Sequence, residues 1–163
     1  MSPRPLPTAG EPEPRRVELP EPDLVEGRGE REDLPLAVVV DRALANVPSG
    51  AFDWLLAITI VLDETDEQAL PTAAEREVVD GFAERLSEAL LDLEDEDDPG
   101  PVNALFLARV DWNGTRELAF RVHDPEVADD LLAFVVESGD YPRPFAFRLD
   151  EDQDGSRARE YLP

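Results

Sequence analysis

Two segments of helix length, each opened by its own cap and each set between strand patterns, constrain this chain more than any other feature. Thr72 and Glu75 stand at the T-x-x-E spacing of a capping box. Behind them Val78, Val79, Phe82, Leu86, Leu90 and Leu93 recur at three and four residues, an apolar stripe that predicts a helix. Asp124-Pro125 supplies an N-cap and a first-turn proline for a second helix. It buries Val127, Leu131, Leu132 and Val135 and stops at Ser138-Gly139. Before the first helix, Trp54 to Leu62 is apolar on both faces, as a central strand would be. Between the helices, Ala104 to Asp111 and Arg116 to His123 flank Trp112-Asn113-Gly114-Thr115, a hairpin signal. After the second helix, Phe145 to Leu149 alternates. A short β-branched run, Leu36 to Val40, predicts an extra N-terminal strand.

Strand–helix–strand–strand–helix–strand predicts an α+β fold of the ferredoxin-like, split β-α-β (βαββαβ) kind. This is a two-layer sandwich, an antiparallel sheet with both helices on one face. Alternation assigns Trp54, Leu56, Ile58 and Ile60 to the helix side, with Phe106, Ala108 and Val110. Leu118, Phe120 and Val122 join them, as do Phe145, Phe147 and Leu149. Keeping Ala108 and Val110 beside Leu118 and Phe120 requires paired positions to sum to an even number, because a one-residue slip reverses the faces. The expectation is therefore a three-residue loop, Trp112-Asn113-Gly114, with a bulged left-handed glycine.

At 163 residues the chain has room for one ordinary domain and a tail. Residues 1–33 hold Pro3, Pro5, Pro7, Pro12, Pro14, Pro20 and Pro22 among Glu, Arg and Gly. Such a segment buries too little apolar area to offset its ordering entropy and is expected to be a disordered tail. Residues 34–163 then form a single α+β domain with an acidic C-terminal segment, 150–163. The chain has no cysteine, which excludes disulfides and a thiol nucleophile and suits a reducing compartment. No signal peptide opens it, and Trp54 to Leu62 is far too short to span a bilayer, so the expected location is cytoplasmic.

The net charge of −24 sets the partner classes. A surface of that sign repels phosphate backbones and anionic membranes, which argues against nucleic acid and membrane binding. It attracts a protein partner with a basic surface. All 15 basic residues are arginine, which fits a GC-rich genome or an adaptation to high salt. On the sheet face away from the helices, alternation places Arg109, Glu117, Arg121, His123 and Arg148 together. They are the candidate binding residues, for a carboxylate-bearing partner or a second copy of the chain. Cross-strand pairing of Arg109 with Glu117 is the simpler structural account. His123, with Asp111, Glu117 and Asp124 near in sequence, is the one candidate general base. It has no second histidine and no neighbouring serine, so no catalytic residue, metal ligand set or cofactor is assigned. Asp150-Glu151-Asp152-Gln153-Asp154-Gly155 matches half of a calcium loop, but Tyr161 stands where the closing glutamate is required.

Trp54-Leu55-Leu56, Leu70-Pro71-Thr72, Asn113-Gly114-Thr115-Arg116-Glu117-Leu118, Asp124-Pro125 and Tyr161-Leu162-Pro163 occur in an order that resembles a bacterial family. It is catalogued as domain of unknown function 695, and the resemblance covers about residues 36–163. Gly155-Ser156-Arg157 stands where that family carries bulky residues. The resemblance implies no activity. Through the acidic, ferredoxin-like regulators of ribonuclease E activity it implies a regulatory, protein-binding role. The expected function is thus a non-enzymatic protein-binding or regulatory module. The alternatives are a small hydrolase using His123 and nearby carboxylates, and a structural homodimer joined through the open sheet face.

Overall fold

The structure is a computed structural model, and it describes residues 21–46, 52–91 and 103–161. Six strands form one sheet: β1 (Leu24–Arg31), β2 (Leu34–Asp41), β3 (Trp54–Val61), β4 (Ala104–Trp112), β5 (Thr115–Val122) and β6 (Phe145–Glu151). The α-helices are α1 (Ala73–Leu91), α2 (Pro125–Ser138) and the single turn α3 (Ser156–Arg159), and a 3-10 turn spans Arg42–Asn46. The sheet order is β1-β2-β4-β5-β3-β6, with every neighbouring pair antiparallel. The chain is therefore α+β with an open antiparallel sheet.

β3 is the apolar strand of the sequence, and it is paired on both sides, to β5 and to β6. Its residues Leu56, Ile58 and Ile60 meet Leu118, Phe120 and Val122 of β5 under the two long helices. Val79, Phe82, Leu86 and Leu90 of α1 and Ala128 and Leu132 of α2 complete that core. Asp124 caps α2 through its carboxylate, which accepts the Glu126 N–H at 3.0 Å. Gly139 ends the helix in the left-handed conformation (φ 68°), which a side chain would strain. At α1 the Thr72 hydroxyl accepts the Glu75 N–H at 3.2 Å, but Glu75 does not return the bond to Thr72. Its carboxylate is buried (1% exposed) and accepts the Asp63 N–H at 2.6 Å. The Arg143 guanidinium donates to it at 2.8 and 2.6 Å. These bonds outweigh the cost of burial and hold the Glu75 carboxyl down at about 2. Leu93 and the acidic run Glu94 to Asp98 lie outside the described residues.

The structure corrects two expectations. The first concerns residues 1–33, read as a disordered tail. Leu24–Arg31 within it is a full strand, paired to β2 along its whole length, while residues 1–20 lie outside the described residues. The Glu32-Asp33 turn joins the two strands with both residues at positive φ (53° and 67°). The strand escapes a composition-based reading because Leu24 and Val25 are its only large apolar residues. Val25 packs on the second face of the sheet.

The second correction concerns the β4–β5 hairpin. Trp112 pairs with Thr115, so the loop is the two-residue Asn113-Gly114 turn (φ 49° and 78°) and not the three-residue one. The parity conflict is resolved further down the strand. Phe106 pairs with Phe120, Ala108 with Ala119, and Leu107 is an extra residue between them. This bulge turns the rest of β4 over. Phe106 stays on the helix side, whereas Ala108 joins a second apolar cluster on the other face.

Candidate functional site

The bulge at Leu107 removes Arg109 from the set of five candidate residues. Arg109 pairs with Leu118, not Glu117, and lies on the helix side of the sheet. Asp111 follows it, opposite Arg116. The expected Arg109–Glu117 pair is thereby excluded, and Arg109 does not share a face with Arg121 and Arg148.

Nor is the far face open. Val40, Leu44, Leu55, Leu107, Ala108, Ala119 and Ala158 form a buried cluster there, with Tyr161 packed against it. Leu44 comes from the 3-10 turn and Ala158 from α3, so two short segments cover this part of the sheet. The calcium-like sequence makes the α3 cover possible. Asp152 is buried, and its two carboxylate oxygens accept the N–H groups of Arg157 (2.9 Å) and Ala158 (3.0 Å). Asp154 accepts the Ser156 N–H at 3.0 Å. These aspartates act as helix caps. Among the described residues no group of three or more His, Cys, Asp or Glu side chains is placed to hold a metal.

What is left on that face is a cavity of about 360 Å³ lined by Arg31, Leu55, Glu117, Arg148, Arg157, Glu160 and Tyr161. It unites Glu117 and Arg148 of the candidate set. Their charges are largely engaged. Glu117 accepts the Tyr161 hydroxyl at 2.8 Å, and burial followed by the Glu117 charge pushes that hydroxyl's pKa up. Arg148 donates to Asp150 at 3.0 Å, and Arg157 lies 3.7 Å from the same carboxylate.

Arg121 lies apart from this cavity. Its buried guanidinium donates to the Phe52 carbonyl, through Nε at 3.0 Å and also through Nη2. Burial lowers its pKa, and the fields of Asp152 and Asp53 oppose that. His123 is half-buried with its ring edge-on to Phe52, centroids 6.3 Å apart. The carboxylates grouped with it by sequence have other work. Asp124 caps α2, Glu117 holds Tyr161 and Asp111 holds Arg116.

The helix side carries two further features. Strands β1 and β2 extend the sheet past α1, and the ledge so formed is a groove of about 380 Å³. Arg28, Arg76, Arg109 and Arg116 line it together with Glu26, Asp80 and Asp111. Arg116 is 1% exposed and is held by Asp111 through two bonds (2.7 and 2.9 Å) and by Asp80. The second feature is the outer face of α2. Phe134 is 68% exposed, the most exposed large apolar side chain among the described residues. Asp130 and Glu137 stand four residues before and three after it, on the same side of the helix. Beside them a cleft of about 410 Å³ is lined by Pro125, Glu126, Asp129, Asp130 and Leu149. None of its three carboxylates has an ion-pair partner among the described residues.

Sequence reasoning missed both features. Arg76 lies on a helix read only for its cap and apolar stripe, and Arg28 in a segment read as a tail. Phe134 breaks the apolar stripe of its helix, and that departure was the available signal. No helix among the described residues is long and apolar enough to cross a membrane. Compared with protein-family models, with curated proteins and with solved structures, the chain matches none.

Proposed function

We propose that this chain is a non-enzymatic, cytoplasmic protein-binding module of bacterial type whose partner presents a basic surface, and that α2 is where the partner docks. The observation that carries this is Phe134, exposed to water on a helix whose opposite face is buried, with acidic side chains around it. Exposed aromatics ringed by polar groups are the usual anchors of protein interfaces. The neighbouring cleft suits an arginine or lysine: Pro125 and Leu149 meet its aliphatic stem and three carboxylates meet its head. A net charge of −24 speeds the encounter with such a partner and turns away nucleic acid.

The sheet order supports the ferredoxin-like reading, since β6-β3-β5-β4 is the arrangement a split β-α-β unit makes, with β1 and β2 added at one edge. On this reading the chain belongs near the domain of unknown function 695 family, and a regulatory role follows by analogy.

The test is affinity capture from native lysate by the wild type and by Phe134→Ala, at low and high ionic strength, followed by titration with the purified captured protein. The reading expects one basic protein, retained at low salt and bound at least about tenfold more weakly by the variant. Equal binding by wild type and variant would sink it.

A further inference from the structure

We infer that the groove between α1 and the β1–β2 ledge is a binding site for a small organic polyanion, a phosphate ester or a di- or tricarboxylate. The sheet register builds it. One row across the strands runs Glu26, Val39, Arg109, and the next runs Arg28, Ala37, Asp111. Val39 and Ala37 of β2 are therefore an apolar floor, with the charged side chains of β1 along one wall and those of β4 along the other. Adjacent strands lie about 4.8 Å apart, so the walls stand about 10 Å from each other, room for one small molecule and no more. Arg76 and Asp80 of α1 close the third side.

The charges in this groove do not cancel. Asp111 and Asp80 both bond to Arg116, so the three leave one negative charge. Glu26 adds a second. Against these stand Arg28, Arg76 and Arg109, none with an ion-pair partner among the described residues. The groove is thus net positive by one, on a chain whose net charge is −24. Three guanidinium groups line one cavity, and an anion placed between them is attracted by all three. Their planar forks match the oxygens of phosphate and carboxylate groups. A volume of about 380 Å³ exceeds a bare phosphate ion and leaves space for a carbon skeleton on Val39 and Ala37.

This inference is independent of the α2 docking face, and its test does not use a protein partner. Isothermal titration at constant ionic strength would use sodium phosphate, glycerol 3-phosphate and citrate in turn as probes, with chloride as the background anion. One-to-one binding of glycerol 3-phosphate points to phosphate esters, and of citrate to carboxylates. Either supports the site if Arg109→Ala and the exposed Arg28→Ala each weaken it by about tenfold or more. Arg85→Ala, outside the groove, should leave it unchanged. Circular dichroism of each variant verifies that the fold is kept. Heat at none of the three probes up to millimolar concentration overturns the proposal, as does binding that survives both groove variants.

Discussion

Arg116 on β5 and Asp111 on β4 face each other across the hairpin as a registered pair, joined by two hydrogen bonds and almost sealed from water. The pair sits where helix packing would otherwise demand apolar side chains. Burial works against the charge on Arg116, but Asp111 and Asp80 more than offset it and raise its pKa. Breaking one side of such a pair is worse than replacing both. Arg116→Ala should destabilise by about 3–5 kcal/mol, since Asp111 is left buried without a partner. The double replacement Arg116→Leu with Asp111→Leu should cost far less. Urea denaturation of the two variants separates these outcomes, and a double variant that loses as much as Arg116→Ala or more would show that the unpaired Asp111 carries no penalty of its own.

The Glu75–Arg143 pair makes stability depend on acid. The folded carboxyl sits at about 2 against 4.5 unperturbed, a depressed value. Its contribution is therefore complete above pH 4.5 and drains away as pH falls toward 2. Glu75→Gln should be less stable than wild type at neutral pH, by on the order of 2 kcal/mol, because charge-assisted bonds to Arg143 and Asp63 are lost. The urea midpoints of the two proteins should converge between pH 4.5 and 2. Parallel curves over that window would place the acid sensitivity elsewhere.

Asp152 caps the last helix from inside the protein, so its loss should free a whole segment. Asp152→Ala is expected to cost about 1–2 kcal/mol. Amide exchange should rise from Ser156 to Tyr161 well before the sheet opens. Proteolysis near Arg157 and Arg159 should quicken in step. Unchanged exchange there would mean that Ala158 and Tyr161 anchor the segment by packing alone.

The Glu32-Asp33 turn uses residues poorly suited to positive φ, at 53° and 67°. Asn-Gly at the same positions is the preferred pair for a two-residue hairpin. Glu32→Asn with Asp33→Gly should raise stability by about 0.5–1 kcal/mol, read from the thermal midpoint. A decrease would mean that the side chains of Glu32 or Asp33 contribute more than the turn geometry does.

Much of this fold is legible where local rules and tertiary structure agree. The caps at Thr72 and Asp124 mark both long helices, and strict alternation places β3, β5 and β6 with their apolar sides correct. Legibility stops at Leu107. Phe106-Leu107-Ala108 holds no glycine or proline to announce a bulge, and each side chain suits a strand. An alternation carried past that point assigns Ala108, Arg109, Val110 and Asp111 to the wrong sides. The expected arginine face was split for this reason. Strand β1 fails for a different one: its pairing to β2 supplies the order that its own composition lacks.

The bulge also has an evolutionary consequence. A strand that changes sides midway writes for two surfaces at once: its first half is selected by one core, its second by the arginine groove. Loss of the single codon for Leu107 would restore an uninterrupted strand without exchanging the faces. Phe106 would still oppose Phe120 and Ala108 would oppose Ala119, so Arg109 and Asp111 would stay on the helix side. The Ala158 cluster would lose one buried side chain. Arg116 would keep its buried carboxylate and the groove both of its walls. Sequences that descend from a common ancestor with this chain should therefore include some with one residue fewer here, in which Arg109, Asp111 and Arg116 keep their faces.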